Sequence, residues 1–233
     1  MFFGIDPVYF LFIGPGILFS LWASYYVKST FSKYSEVMAA SGLTGAEAAR
    51  RMLDVAGVHN VKIEYAQGFL GDHYDPLTRT LRLSQEVHDS PSLASVGVAC
   101  HEAGHALQHA EQYAWLGLRS ALVPATNVGR YLSWIFVTIG MLFHRPQFIL
   151  LGAAVFGLAV LFSVITLPVE WNASVRARVA MVRAGIVTVP ESDHAWIVLR
   201  AAFLTYVAAA VTAVLTLLYY LWRAGVFGGG RRD

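Results

Sequence analysis

Residues 8–27 (VYFLFIGPGILFSLWASYYV) run without one charged side chain. A helix needs about 20 mostly apolar residues to cross the hydrocarbon core of a bilayer, and this demand constrains the chain more than any other feature. Three further stretches meet or approach it: 122–143, 147–168 and 201–222. The second is uneven, with Pro124, Asn127 and Arg130 ahead of its apolar half (YLSWIFVTIGMLF). Pro15 predicts a kink in the first span, which bilayer helices tolerate. Pro168 is expected to close the third, and His144-Arg145-Pro146 to make a tight turn before it. Tyr219, Tyr220 and Trp222 are placed as an interfacial aromatic belt at the end of the fourth. A cleaved signal peptide fits residues 8–27 poorly, because no basic residue precedes them.

Composition supports the same class. Hydrophobic residues make up 56% of the 233 and charged residues 14%, against roughly 45–50% and about 25% in soluble domains. The expected fold is mainly α: a single polytopic helical membrane unit of about four spans, with a small α+β part carrying the polar residues. One cysteine, Cys100, rules out an internal disulfide. A net charge of +2 is too small to point to nucleic acid as a partner. With four spans, the polar segments 28–121 and 169–200 share one side of the membrane. They hold most of the Lys and Arg, so the positive-inside rule places them in the cytoplasm, with the protein in the cell membrane. Gly228-Gly229-Gly230 reads as a flexible end.

Local signals in the first polar segment are specific. Thr44-Gly45-Ala46-Glu47 is a capping box for a helix through Ala56, with Gly57 as its stop. Val61–Tyr65 and Arg79–Ser84 alternate as strands, and Asp72-His73-Tyr74-Asp75-Pro76 between them reads as a polar turn. Ser90-Pro91 reads as an N-cap followed by proline at the first helical position, opening a helix that runs to about Gln112.

That helix contains His101-Glu102-Ala103-Gly104-His105. Residues four apart share a helix face, so His101 and His105 can aim both imidazoles at one ion. Glu102 can hold a water beside it and act as general base. This is the HExxH pattern of zinc peptidases. Burying such groups on an otherwise small and apolar helix is costly unless they are paired or ligated. Gly104 costs about 1 kcal/mol of helix propensity relative to alanine, which a close backbone approach at that point would explain. His109 continues the series but has drifted off the face, and Cys100 points away as a small core residue.

A catalytic zinc takes three protein ligands and leaves one position open. Glu170, at the end of the third apolar stretch, is the candidate for the third. Glu111, Asp89, His73 and Asp193 compete with it, and pairing of Glu170 with Arg176 or Arg178 is the simpler alternative.

The chain resembles the YugP-type family of membrane zinc metallopeptidases over most of its length. The resemblance is carried by Thr44–Glu47, Gly71-Asp72-His73-Tyr74-Asp75-Pro76 with Leu83-Ser84, Ala99 to Gln108, Val123-Pro124-Ala125-Thr126-Asn127, and Leu167-Pro168-Val169-Glu170. It implies His101 and His105 as ligands to Zn2+, Glu102 as base and Glu170 as third ligand. After that glutamate the family usually shows Phe-Asp-Ala-Ser; here it is Trp171-Asn172-Ala173-Ser174. The pattern is also similar to HtpX and CAAX-prenyl-type proteases, which usually carry an aspartate where Ser174 stands. Intramembrane site-2 proteases use an Asp-Gly pair, and this chain has none.

The expected activity is zinc-dependent, gluzincin-like endopeptidase chemistry on a peptide or membrane-protein substrate at the bilayer surface. The strand Arg79–Ser84 would serve as the edge that binds extended substrate. His73 or Tyr74 would contact substrate or stabilise the oxyanion, or simply belong to a hydrogen-bonded turn. The rival reading is a non-catalytic, zinc-stabilised membrane scaffold or adaptor, which would keep the ligands and need no base.

Overall fold

The computed structural model describes residues 7–66 and 71–228. Gly229 and Gly230 of the expected flexible end, and Arg231 and Arg232, lie outside the described residues. Seven helices and a three-stranded sheet follow in the order α1 (Pro7–Ser35), α2 (Gly45–Val55), β1 (Lys62–Tyr65), β2 (His73–Asp75), β3 (Thr80–Leu83), α3 (Gln85–Asp89), α4 (Leu93–Ala110), α5 (Ala114–Leu142), α6 (Pro146–Arg183) and α7 (Val189–Arg223). The protein is mainly α with a small sheet, as its sequence predicts.

Three helices, α1, α6 and α7, are long and apolar enough to cross a membrane. They contain the expected spans 8–27, 147–168 and 201–222. The remaining expected span lies in α5, which has the length but is diluted by Asn127 and Arg130. Pro168 does not close its span. α6 continues through it to Arg183. The half-buried Pro168 removes one backbone donor, and a helix in an apolar setting keeps its remaining bonds because little water competes for them.

The chain divides into two compact units. One takes residues up to Ala23, Leu118–Leu167 and the chain from Thr205 onward. Here small residues let helices approach: a Cβ on Gly152 of α6 would meet Val137 of α5 at 2.6 Å, the close packing that substitutes for hydrophobic drive in lipid. Tyr219 and Trp222 of α7 form a ring cluster with Tyr9 and Phe12 of α1.

The other unit takes Ser24–Gly117 and Pro168–Leu204. Met52 and Leu53 of α2, Leu81 and Leu83 of β3, Val96 of α4 and Met181 of α6 are wholly buried in its core. The capping box of α2 forms as expected: Thr44 Oγ1 accepts from the Glu47 amide, and Glu47 Oε2 accepts from the Thr44 amide at 2.9 Å.

Three local expectations need correction. The sheet order is β1-β3-β2, so the strand within Arg79–Ser84 is central, parallel to β1 and antiparallel to β2. It offers no edge to a substrate. His73-Tyr74-Asp75 is not a turn but the edge strand β2. The turn lies just after it, where Asp75 accepts hydrogen bonds from the Leu77 amide and the Thr78 hydroxyl. These bonds, with Arg82, hold the Asp75 carboxyl down at about 2. The cap of α4 is Ser92 rather than Ser90, because the short α3 occupies the preceding segment and Pro91 sits in the link.

The packing of α2 on α3 and α4 gives a prediction. A Cβ on Gly45 would lie 2.0 Å from the Val87 carbonyl, so Gly45→Ala should destabilise the protein by about 1–3 kcal/mol. Thr44→Ala, which loses only the cap, should cost about 1 kcal/mol. Thermal unfolding in detergent should rank them in that order.

Candidate metal centre

Helix α4 is built almost wholly of small and apolar residues, and its burial is what aims the HExxH face. Ala99, Cys100, Ala103, Ala106 and Leu107 pack into the core. His101 and His105, one turn apart, then face the C-terminal part of α6. Gly104 provides the contact: a Cβ there would lie 2.6 Å from the Ala173 carbonyl, the close backbone approach its presence predicts. Burial pushes the Cys100 thiol up, away from the thiolate that a ligand requires.

Glu170 enters from α6, 1% exposed. Its Oε2 lies 3.2 Å from His101 Nε2 and 3.5 Å from His105 Nε2. Ligand atoms of the three residues all fall within 4.8 Å of one another, a group that could hold a metal ion. Zinc bonds of 2.0–2.1 Å at tetrahedral angles put ligand atoms about 3.3 Å apart, close to the 3.2 and 3.5 Å between Glu170 Oε2 and the two imidazole nitrogens. The two arginines of the simpler alternative hold other partners: Arg176 pairs with Glu111, and Arg178 with Asp193.

The surrounding bonds also fit a metal. Gln108 Nε2 donates to the Val169 carbonyl at 2.8 Å and to Asn172 Oδ1 at 2.9 Å. That sets the amide so that Oε1 faces His105 Nδ1 at 3.0 Å. A carbonyl oxygen can only accept, so a proton sits on Nδ1, and Nε2, which faces Glu170, is the nitrogen a metal would take in place of a proton. Ser174 Oγ lies 3.1 Å from His101 Nδ1, on the helix turn after Glu170, where the HtpX-type pattern has aspartate. Burial alone lowers the His105 pKa, but the hydrogen bond and charge of Glu170 outweigh it and leave it raised.

Glu102 is half-buried, and its Oε2 accepts from the Tyr74 amide on β2 at 3.1 Å. The outer edge of the sheet therefore reaches the HExxH helix through backbone. The Tyr74 hydroxyl is 2.8 Å from His109 Nδ1, which gives His109 a partner away from the cluster. His73 lies on the opposite face of β2, its ring held by the Gly71 carbonyl and Arg82. Asp89 is bound to Tyr65 and His88. The residues read singly did not reveal Gln108 as a support, whereas the departure at Asn172 from the family pattern marked that position. The available signal was spacing: Gln108 stands three after His105, on the same helix face.

Three helices long and apolar enough to cross a membrane, one of which brings Glu170 to the two histidines of α4 in a group that could hold a metal ion, point to the class of membrane metalloproteins with a peptidase-like centre. The chain belongs to the family described as putative neutral zinc metallopeptidase, whose profile matches residues 9–225. It is 45% identical over 214 residues to the putative membrane protease YugP of Bacillus subtilis, covering 92% of this chain and 94% of that protein. No solved structure matches it.

Purified protein should carry one zinc per chain. His101→Ala, His105→Ala and Glu170→Ala should each lower occupancy in metal analysis. Gln108→Leu should weaken zinc about 10–100-fold. Gly104→Ala should lower both thermal stability and zinc content, because it forces the α4 and α6 backbones apart.

Proposed function

We propose that the protein is a gluzincin-like endopeptidase of the cell membrane, with His101, His105 and Glu170 as zinc ligands and Glu102 as general base. The observation that carries this reading is the meeting of both imidazoles on one oxygen of a buried glutamate, with Glu102 on the next position of the same helix. Zinc bound there would supply Lewis acidity, lowering the pKa of water to about 7 and polarising a carbonyl.

The chain's own residues account for the rest. Glu102 has one oxygen fixed by the Tyr74 amide, which leaves the other to take a proton from the attacking water and pass it to the leaving nitrogen. Gln108 and Ser174 keep the imidazole rings in place. The edge of β2, not β3, is the strand an extended peptide would join, and Tyr74 on that edge is the residue nearest the chemistry. Its side chain is occupied by His109 and its amide by Glu102, so substrate contact is expected through its backbone carbonyl. The concentration of basic residues in segments 28–121 and 169–200 supports a cytoplasmic site.

Glu102→Gln keeps the shape but cannot accept a proton at neutral pH. It should bind zinc and fold normally, yet lose about 10²–10⁴-fold in turnover of an unfolded or membrane-anchored peptide. Turnover and zinc content measured on one sample decide it; wild-type turnover by the zinc-loaded variant would refute the general base. Chelation should abolish wild-type cleavage and zinc should restore it. If the wild type cleaves no substrate across a varied set, the scaffold reading stands. Cysteines placed at Lys62 and Glu191, with Cys100 replaced, should both react only with cytoplasmic reagent in intact cells.

A further inference from the structure

The unit formed by residues up to Ala23, Leu118–Leu167 and the chain from Thr205 onward contains a cavity of about 460 Å3, within the size range of ligand sites. Its lining includes Ser20 of α1, Thr126, Asn127 and Arg130 of α5, Phe162 of α6 and Thr212 of α7. Among the unit's described residues there is no aspartate or glutamate. Arg130 lines the cavity, is exposed, and has no hydrogen-bond or ion-pair partner among the described residues. An ionisable group among apolar helices is expensive without a partner and marks a binding role.

A second observation is independent of the charge. Thr126 is 7% exposed, and its hydroxyl has no hydrogen-bond partner among the described residues. Other hydroxyls of the lining are satisfied: Ser163, Thr212 and Thr216 each donate to the carbonyl four residues earlier. Thr126 and Arg130 stand four apart and Asn127 and Arg130 three apart, so they share a face of α5. The metal centre uses none of them.

Depth selects the ligand. Arg130 stands twelve residues from both Leu118 and Leu142, about 18 Å from each. Its neighbour Gly129 packs on Val155 and Leu158, in the middle of the apolar part of α6. Lipid headgroups are held roughly 15 Å from that depth. A side chain of another transmembrane helix is not.

We propose that this cavity receives the carboxylate of an aspartate or glutamate at the middle of another protein's transmembrane helix. The guanidinium of Arg130 supplies the counter-charge, and Thr126 and Asn127 supply hydrogen-bond donors. This is a recognition site that does not depend on the metal centre or on hydrolysis.

The test uses the full chain in zwitterionic phosphatidylcholine nanodiscs and a fluorescent Leu/Ala transmembrane peptide carrying one central Glu. Control peptides carry Gln at the centre, or Glu near one end. The central-Glu peptide should bind roughly tenfold tighter than either control. Arg130→Gln should erase the preference, Arg130→Lys should keep part of it, and Thr126→Val should reduce it severalfold, all at unchanged zinc content. Equal binding of central-Glu and central-Gln peptides by the wild type would overturn the proposal without any variant. So would Arg130-dependent retention of phosphatidylglycerol with no preference for the central-Glu peptide, which would assign the cavity to lipid.

Discussion

A carboxylate buried to 1% exposure is the constraint around which this protein is arranged. Glu170 cannot stay ionised in such a place alone, since removal from water costs several kcal/mol unless positive or donating groups compensate. His101 and His105 meet it at 3.2 and 3.5 Å. The two imidazoles come from α4 and the carboxylate from α6, so electrostatic satisfaction of one side chain ties together segments far apart in sequence. A divalent cation would satisfy all three groups at once, as the zinc family to which the chain belongs implies.

The surroundings serve that contact in a graded way. Gly104 removes the one side chain that would hold α4 away from Ala173. Gln108, anchored at both its amide hydrogens by α6, chooses the tautomer of His105. Asn172 is anchored in turn by Arg176 at 2.6 Å, so an amide does the accepting where the family usually has a carboxylate. Ser174 likewise reaches His101 where related patterns use aspartate. At both positions a neutral side chain makes the hydrogen bond.

Edge and centre of a sheet are decided by pairing, and pairing is a long-range property. The alternation of Arg79–Ser84 announces a strand but says nothing about how many neighbours it has. β3 proved to be flanked on both sides, leaving β1 and β2 as the edges, and β2 has a polar composition that looks like a turn. A short strand held by Asp75 capping the next turn can be polar, because it needs one ladder and one cap rather than an apolar face. The backbone of this edge strand is what reaches Glu102.

What the sequence determined by itself was local or compositional. Apolar runs placed three helices long and apolar enough to cross a membrane, the capping box placed α2, and HExxH spacing put two histidines and a glutamate on one helix, since helical periodicity needs no distant information. The third member of the cluster was different: its place at the end of an apolar stretch made Glu170 the candidate, but Glu111, Asp89, His73 and Asp193 still competed with it, and the family resemblance pointed to the same residue. Only the tertiary structure brought Glu170 onto the histidines, oriented Gln108, made β2 the edge and carried α6 past Pro168. Each of these depends on which groups are left to satisfy one another once water is excluded, and that is settled by packing between segments rather than by the order of residues within any one of them.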